Sequence, residues 1–245
     1  MYEYPFIHDF AEFYYIASDP PDIVGSMNPV RAQQLAPASQ AEHPSSNGPA
    51  RAVPGQARLA APVLRRFDPR SDAGLIPGIT AMLHRAYAKQ VSMGLHPLAG
   101  RQDDAITLRR CSSGECFLAV DQSTSEPAGE VVRGVIILNE IEPDEGPTWF
   151  ARPGVASFSQ LAVDPAAQGR GIGRMLLDTV EARAAERGAV ELGLSMAEPD
   201  ADLRRFYQRH GYRIVATWKW PYTNYTSLIL SKSLRGSGGS PLSNP

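Results

Sequence analysis

Between Arg58 and Leu234 the sequence predicts an α/β (α+β) domain, a mixed sheet with helices on its faces. Three observations carry that expectation. Segments of apolar alternation interleave with segments of helical period. Glycines stand where each predicted helix should stop. An uninterrupted strand, Pro-marked turn, Gly-rich loop and helix start runs from Ser159 to Leu177. The chain has 245 residues, 43% of them hydrophobic, which is enough for a proper core in one domain with extensions.

The elements follow in order. Val63 to Phe67 reads as a first strand. Asp72 is placed to cap a helix whose apolar positions Ile76, Ile79, Leu83, Ala86 and Tyr87 recur at helical spacing, with Gly94 as its stop. A loop rich in charge and Gly leads to strands at Cys116–Val120 and Val131–Leu138, separated by the turn-forming stretch Gln122 to Gly129. A fourth strand runs from about Val155 to Val163. The next helix carries Ile172, Met175, Leu176, Thr179 and Val180 on one face, with Arg183 and Arg187 before Gly188. Val190, Leu192, Leu194 and Met196 alternate as a fifth strand. Leu203, Phe206, Tyr207 and His210 form the inner face of a short helix ended by Gly211, and strands at Ile214–Trp218 and Thr226–Leu230 complete the pattern.

The segment Gln168-Gly-Arg-Gly-Ile-Gly-Arg174 carries the clearest chemistry. A helix N-terminus offers unpaired N–H groups and positive dipole character, and Gly169, Gly171 and Gly173 lack the Cβ atoms that would keep an anion away. Arg170 and Arg174 add charge, so the loop suits phosphate oxygens; the competing reading is a helix start that is merely Gly-rich. Spacing excludes two phosphate ligands. No third Gly completes a dinucleotide fingerprint, and no Gly-Lys-Ser/Thr closes an ATP/GTP P-loop.

What remains, Gln168-x-x-Gly171-x-Gly173 after Leu161-Ala162-Val163, resembles the acetyl-CoA loop of the GCN5-related N-acetyltransferase (GNAT) family. Arg205-Phe-Tyr-Gln-Arg-His-Gly-Tyr212 is similar to that family's Phe-Tyr-x-x-x-Gly-Phe/Tyr signature and falls at the expected distance after the loop. The resemblance runs from end to end of the domain. It implies a mostly antiparallel central sheet whose strands four and five splay apart to hold the pantetheine arm. It assigns Leu161, Ala162 and Val163 to the arm and thioester, and Gln168, Gly169, Arg170, Gly171, Ile172, Gly173 and Arg174 to the pyrophosphate. Tyr207 then matches the general-acid tyrosine that protonates the departing thiolate, against the plainer reading of a packed core tyrosine. Asp200 stands where relatives often have Asn, in contact with the cofactor arm or at the start of the acid helix. Where relatives place a base on the fourth strand, this chain has Ser157, Ser159 and Gln160. Glu140 and Glu142 are therefore the candidate bases, acting through a water or attracting a cationic amine, against the reading of solvated loop charges. His210 beside a helix stop reads as a cap or core residue.

The formal net charge is −2, so no basic field favours nucleic acid or an anionic membrane. No apolar run approaches the roughly 20 residues of a membrane span and no leader is visible, which predicts a cytoplasmic protein. Cys111 and Cys116 are too few for a disulfide framework or a zinc site, and no metal is expected. Residues 1–57 form an extension. An aromatic stripe at Phe6, Phe10, Phe13 and Tyr14 reads either as a docking helix or, with Gly25-Ser26-Met27 as a junction, as a fused peptide. A Pro-, Ala- and Ser-rich linker follows it, residues 58–235 make the acetyltransferase domain, and 236–245 a flexible tail.

Acidic residues at Glu140, Glu142, Asp144 and Glu145, with aromatic side chains at Trp149, Trp218, Trp220 and Tyr222, favour a small cationic or polar amine as acceptor. Three functional readings follow: an acetyl-CoA-dependent N-acetyltransferase of small amines, a protein acetyltransferase, and an acyl-CoA-binding sensor without turnover. The resemblance also implies pairing of two copies through late strands.

Overall fold

A computed structural model describes residues 61–122, 129–139 and 146–234. The order is β1 (Val63–Arg66), α1 (Ile76–Ser92), α2 (Asp104–Ser113), β2 (Glu115–Gln122), β3 (Glu130–Asn139), β4 (Val155–Val163), α3 (Ile172–Glu186), β5 (Glu191–Ala197), α4 (Ala201–Arg209), β6 (Arg213–Trp218) and β7 (Ser227–Ser233). These strands form one sheet in the order β1-β2-β3-β4-β5-β7-β6. Each neighbouring pair is antiparallel except β4 and β5, which run parallel. The N-terminal extension, the linker and the tail lie outside the described residues. Among the described residues no helix is long and apolar enough to cross a membrane, and no group of three His, Cys, Asp or Glu could hold a metal ion.

The sheet is buried on both faces. Val135 and Ile137 of β3 join Ile79, Met82 and Leu83 of α1, while Ile136 and Leu138 join Leu176, Leu177 and Val180 of α3. The run Val135-Ile-Ile-Leu138 is therefore continuous rather than alternating, as a strand covered from both sides requires. Each fully buried Ile or Leu here contributes about 1.5–3 kcal/mol from removal of apolar surface. Gly134 brings α3 close. A Cβ there would meet Leu176 Cδ1 at 2.9 Å, the Ala162 carbonyl oxygen at 3.0 Å and Ile172 Cγ2 at 3.0 Å.

The structure departs from the sequence expectation at two places. The loop after Gly94 contains a helix, α2, capped by Asp103, whose Oδ1 accepts from the Ile106 amide at 2.8 Å. Its inner face is only Thr107 and Cys111, too weak a periodic signal to read against so many charged neighbours. Asp72 makes no side-chain capping bond. Its carboxylate instead pairs with Arg65 at 2.6 Å and accepts from the Asp68 amide at 2.8 Å, and Arg65 also binds Glu130 of β3. Arg183 and Arg187, placed by the sequence at the C-terminus of α3, find Glu115 of β2 at 2.8 and 3.0 Å and tie that helix end to the sheet. Both cysteines are free and buried.

Gly134→Ala should destabilise the domain by about 1–3 kcal/mol, because a backbone oxygen and two buried side chains must all move. Denaturant unfolding of the two proteins measures it; an unchanged midpoint would show that α3 sits further from β3 than described.

Candidate active site

The parallel pair β4/β5 is joined only through Val155–Glu191, Ala156–Leu192 and Ser157–Gly193. Beyond that point each strand keeps its other neighbour. β4 follows β3 to the Val163–Gly134 pair, and β5 follows β7 to Ala197–Ser227. The divergence has a local cause. The β3–β4 register shifts between Val135 and Ile137, and Gln160 in the shifted stretch has φ 53°, a left-handed conformation in a non-glycine residue. One extra residue on β4 makes a bulge, which bends the strand and turns it away from β5. A gap thus opens between Phe158–Val163 and Leu194–Ala197, with Leu161 and Val163 half-buried and Ala162 buried along it.

At the far end of β4, Asp164 accepts from the Ala166 amide at 3.1 Å and closes a single 3-10 turn, Pro165–Ala167. The predicted phosphate loop follows. Gly169 and Gly171 both take left-handed φ, 79° and 78°, and a Cβ at either would find no atom within 4 Å. Gly171 is the N-cap of α3, and the first helical bond runs from the Met175 amide to the Gly171 carbonyl at 3.0 Å. The amides of Ile172, Gly173 and Arg174 therefore precede any intrahelical acceptor. A glycine cradle open to approach, lined by such amides, fits a pyrophosphate.

The two arginines of the loop part company. Arg174 is exposed and meets Asp178 at 3.4 Å. Arg170 is held by both oxygens of Asp121 on β2, at 2.9 and 3.0 Å, and Asp121 also accepts from Arg133 at 2.8 Å. The expectation that both guanidinium groups serve the ligand is thus modified: Arg170 braces the loop against the sheet, because a carboxylate lies nearer than solvent. Asp164 extends the same chain of charges to Arg133 at 3.7 Å and to Arg85 of α1 at 2.8 Å.

On the opposite wall, Tyr207 of α4 is buried, its ring 6.1 Å from Phe158, 5.3 Å from Phe206 and 5.8 Å from Tyr212. Phe158, its neighbour, is the first β4 residue past the parting point. Burial, then the proximity of Tyr87 and Asp200, pushes the Tyr207 pKa well above the usual tyrosine range, so the phenol keeps its proton at neutral pH. Asp200 starts this helix. Its Oδ1 accepts from the Leu203 amide at 3.1 Å and its Oδ2 from Gln90 Nε2 of α1 at 3.0 Å, with Lys89 Nζ at 3.8 Å. In this structure Asp200 is a helix cap and an anchor for α1. His210 bonds the Phe206 carbonyl through Nδ1 at 2.8 Å, the capping role its position suggested.

Glu140 and Glu142, with Asp144 and Glu145, lie outside the described residues. Trp218, Trp220 and Tyr222 do form one aromatic run, with centroids 6.2 and 5.6 Å apart, and Trp220 Nε1 donates to Ser195 of β5 at 3.0 Å. Trp149 gives its face to Arg152 at 4.1 Å instead. Sequence reasoning missed Gln102 and Arg110, which come together with Gln160 through the Gln102–Gln160 and Gln102–Arg110 bonds at 3.3 and 3.0 Å; the first of these joins residues 58 positions apart and leaves no local signal.

A sheet parted between two parallel strands, with a glycine-lined helix N-terminus at one end of the gap, defines the class as an acetyltransferase-type α/β fold. Residues 112–214 match the family model of the acetyltransferase (GNAT) domain. Solved structures that share the fold include an acetyltransferase of the GNAT family from Staphylococcus aureus Mu50, at 15% identity and TM-score 0.51, covering 71% of this chain and 100% of that one. A GCN5-related N-acetyltransferase from Kribbella flavida matches at 19% identity and TM-score 0.50, over 71% of this chain and 98% of that one. The yncA protein of Salmonella typhimurium, solved with its cofactor acetyl-CoA, matches at 16% identity and TM-score 0.50, over 75% of this chain and all 100% of that one. At such identities the likeness is one of fold. No curated protein gives a sequence match.

The Asp121 carboxyl is held below its ordinary value of 3.8, first by the bond from Arg170, against burial, and then by Arg133. A carboxyl depressed by folding stabilises the folded state above the unfolded value and loses that contribution as pH falls through the folded one. Asp121→Asn should therefore cost stability at pH 7 and less near pH 2, because the wild-type contribution falls away as the pH drops below 3.8 towards the depressed folded value. Urea unfolding at the two pH values reads the difference, and an equal loss at both would remove the ion pair as its origin.

Proposed function

We propose that this chain is an acetyl-CoA-dependent N-acetyltransferase that moves an acetyl group to the primary amine of a small molecule, by direct attack in a ternary complex. The parting of β4 from β5 at Ser157–Gly193, leading to the open Gly169–Gly171 cradle, carries the reading. Acetyl-CoA supplies an activated thioester carbonyl. Gly169 to Arg174 would hold the pyrophosphate on the first-turn amides of α3, and the freed edge of β4 at Leu161–Val163 would bind the arm. An amide of that edge would also donate to the carbonyl oxygen as it gains charge, a fixed dipole in a site that largely excludes water.

Tyr207 would serve the other end of the reaction. Its hydroxyl holds a proton firmly, and a thiolate of pKa about 8.5 is a moderate leaving group that gains from a hydrogen bond as the C–S bond breaks. Attack needs a neutral amine, so one proton must leave the nitrogen; Glu140 and Glu142 are the carboxylates proposed to take it through a water. The small-molecule acceptor rests on the aromatic run Trp218, Trp220 and Tyr222 standing beside β5.

Release of free CoA thiol, followed over polyamines, aminoglycosides, amino acids and lysine peptides, tests the proposal; bound acetyl-CoA with no release on any amine would leave a binding domain. Tyr207→Phe keeps the ring and its packing, and should lower kcat by about ten- to a few hundred-fold with the acetyl-CoA Kd unchanged. An unaltered kcat would remove this tyrosine from the chemistry. Gly171→Leu places a side chain in the cradle and strains a φ of 78°, so calorimetric titration should show acetyl-CoA binding weakened about tenfold or more.

A further inference from the structure

Gln160 does more than mark the bulge. The residue exposes only 5% of its surface, its Oε1 accepts from Gln102 Nε2 at 3.3 Å, and its own Nε2 has no hydrogen-bond partner among the described residues. A buried donor without an acceptor is rare in folded proteins and calls for an explanation. Exchanging the two ends of the amide does not supply one. Arg110 has only donors, so the Gln102 atom that meets its guanidinium at 3.0 Å must be Oε1. Gln102 Nε2 then faces Thr107 Oγ1 at 2.8 Å and Gln160, and the Gln160 atom turned towards that nitrogen must be its oxygen. Arg110 thereby fixes, through Gln102, that the unused group of Gln160 is an N–H donor.

The donor stands in a meaningful place. Gln160 lies on β4 past the point where β5 has departed, and its network reaches the loop between α1 and α2 on the sheet face away from α3. Gln160 thus stands next to Leu161 on the stretch of β4 that β5 has left, with its hydrogen bonds on the α1–α2 side.

We propose that Gln160 Nε2 is a specificity-determining donor of the acceptor subsite, binding a carbonyl or carboxylate oxygen that the amine substrate carries near its reacting nitrogen. Gln102 and Arg110 are positioning residues that lock the amide's orientation. The donor is covered in the free protein, so its partner enters as the side chains of the α1–α2 connection yield to it. The preferred acceptors are then amines of the amino-acid type, and oxygen-free alkylamines and polyamines are poor ones, since they leave the donor unpaired.

This inference rests on the acetyl-transfer reading, and matched acceptors separate the two. The rates of CoA release with lysine against cadaverine, and with glycinamide against ethylamine, differ by the presence of such an oxygen. In the wild-type chain kcat/KM should favour the oxygen-bearing member of each pair by about tenfold or more. Gln160→Met should bring that ratio close to one. If Gln160→Met does not fold, Gln160→Asn, which suits left-handed φ and withdraws the donor by one methylene, should lower the ratio in the same direction. Turnover confined to polyamines, or a ratio that survives these substitutions because both members of a pair fall alike, would overturn the role of Gln160 and leave acetyl transfer standing. Silence on every amine despite bound acetyl-CoA would instead overturn the acetyl-transfer reading itself.

Discussion

The bulge in β4 is the constraint on which the rest of the site depends. Two strands that run parallel for three residue pairs would ordinarily go on pairing, since each unpaired backbone group inside a protein is costly. Here the shift of register opposite Val135–Ile137, with Gln160 held at φ 53°, redirects β4, while β7 keeps β5 on its own course. Unpaired backbone along a half-buried edge results. A ligand with its own donors and acceptors satisfies such an edge, and an extended arm with amide groups is the shape that fits it.

Helix α1 braces both ends of this gap. Arg85 binds Asp164, where β4 gives way to the glycine loop, and one turn later Lys89 and Gln90 reach Asp200 at the cap of the helix that carries Tyr207. From Asp164 the charges continue through Arg133 and Asp121 to Arg170 within the loop. The loop that would receive the pyrophosphate and the helix that would present the phenol are thus referred to one rigid element. Preorganisation of this kind lowers the cost of holding reacting groups in line. It also explains why Arg170 faces Asp121: a residue that sets the course of the loop serves binding without offering its charge to the ligand.

Much of this was legible from the chain alone. Helix and strand periods located each sheet strand and three of the four helices, because each carries a face of Ile, Leu, Val or Phe large enough to show through its polar neighbours. The glycine loop and the Phe206-Tyr207 segment were legible for a different reason: left-handed turns at Gly169 and Gly171 and a helix stop at Gly211 each demand particular residues at particular spacings. Helix α2 escaped because its buried face is just Thr107 and Cys111. Asp72 was misjudged because a capping position and an ion-pair position look alike until Arg65 is seen beside it.

The sequence by itself determined the order of the elements, the apolar faces that strands and helices present, and the glycine turn before α3, since all of these arise from local periodicity and local backbone geometry. Only the tertiary structure decided where β4 leaves β5, that Arg170 belongs to Asp121, that Asp200 joins α4 to α1, and that Gln160 is left with an unused donor beside Gln102 and Arg110. Those features come from residues 49 to 110 positions apart in the chain for the bonded pairs Asp121–Arg170, Gln102–Gln160 and Gln90–Asp200. No periodicity encodes such a pairing, because a polar side chain's partner is chosen by the folded surface it meets.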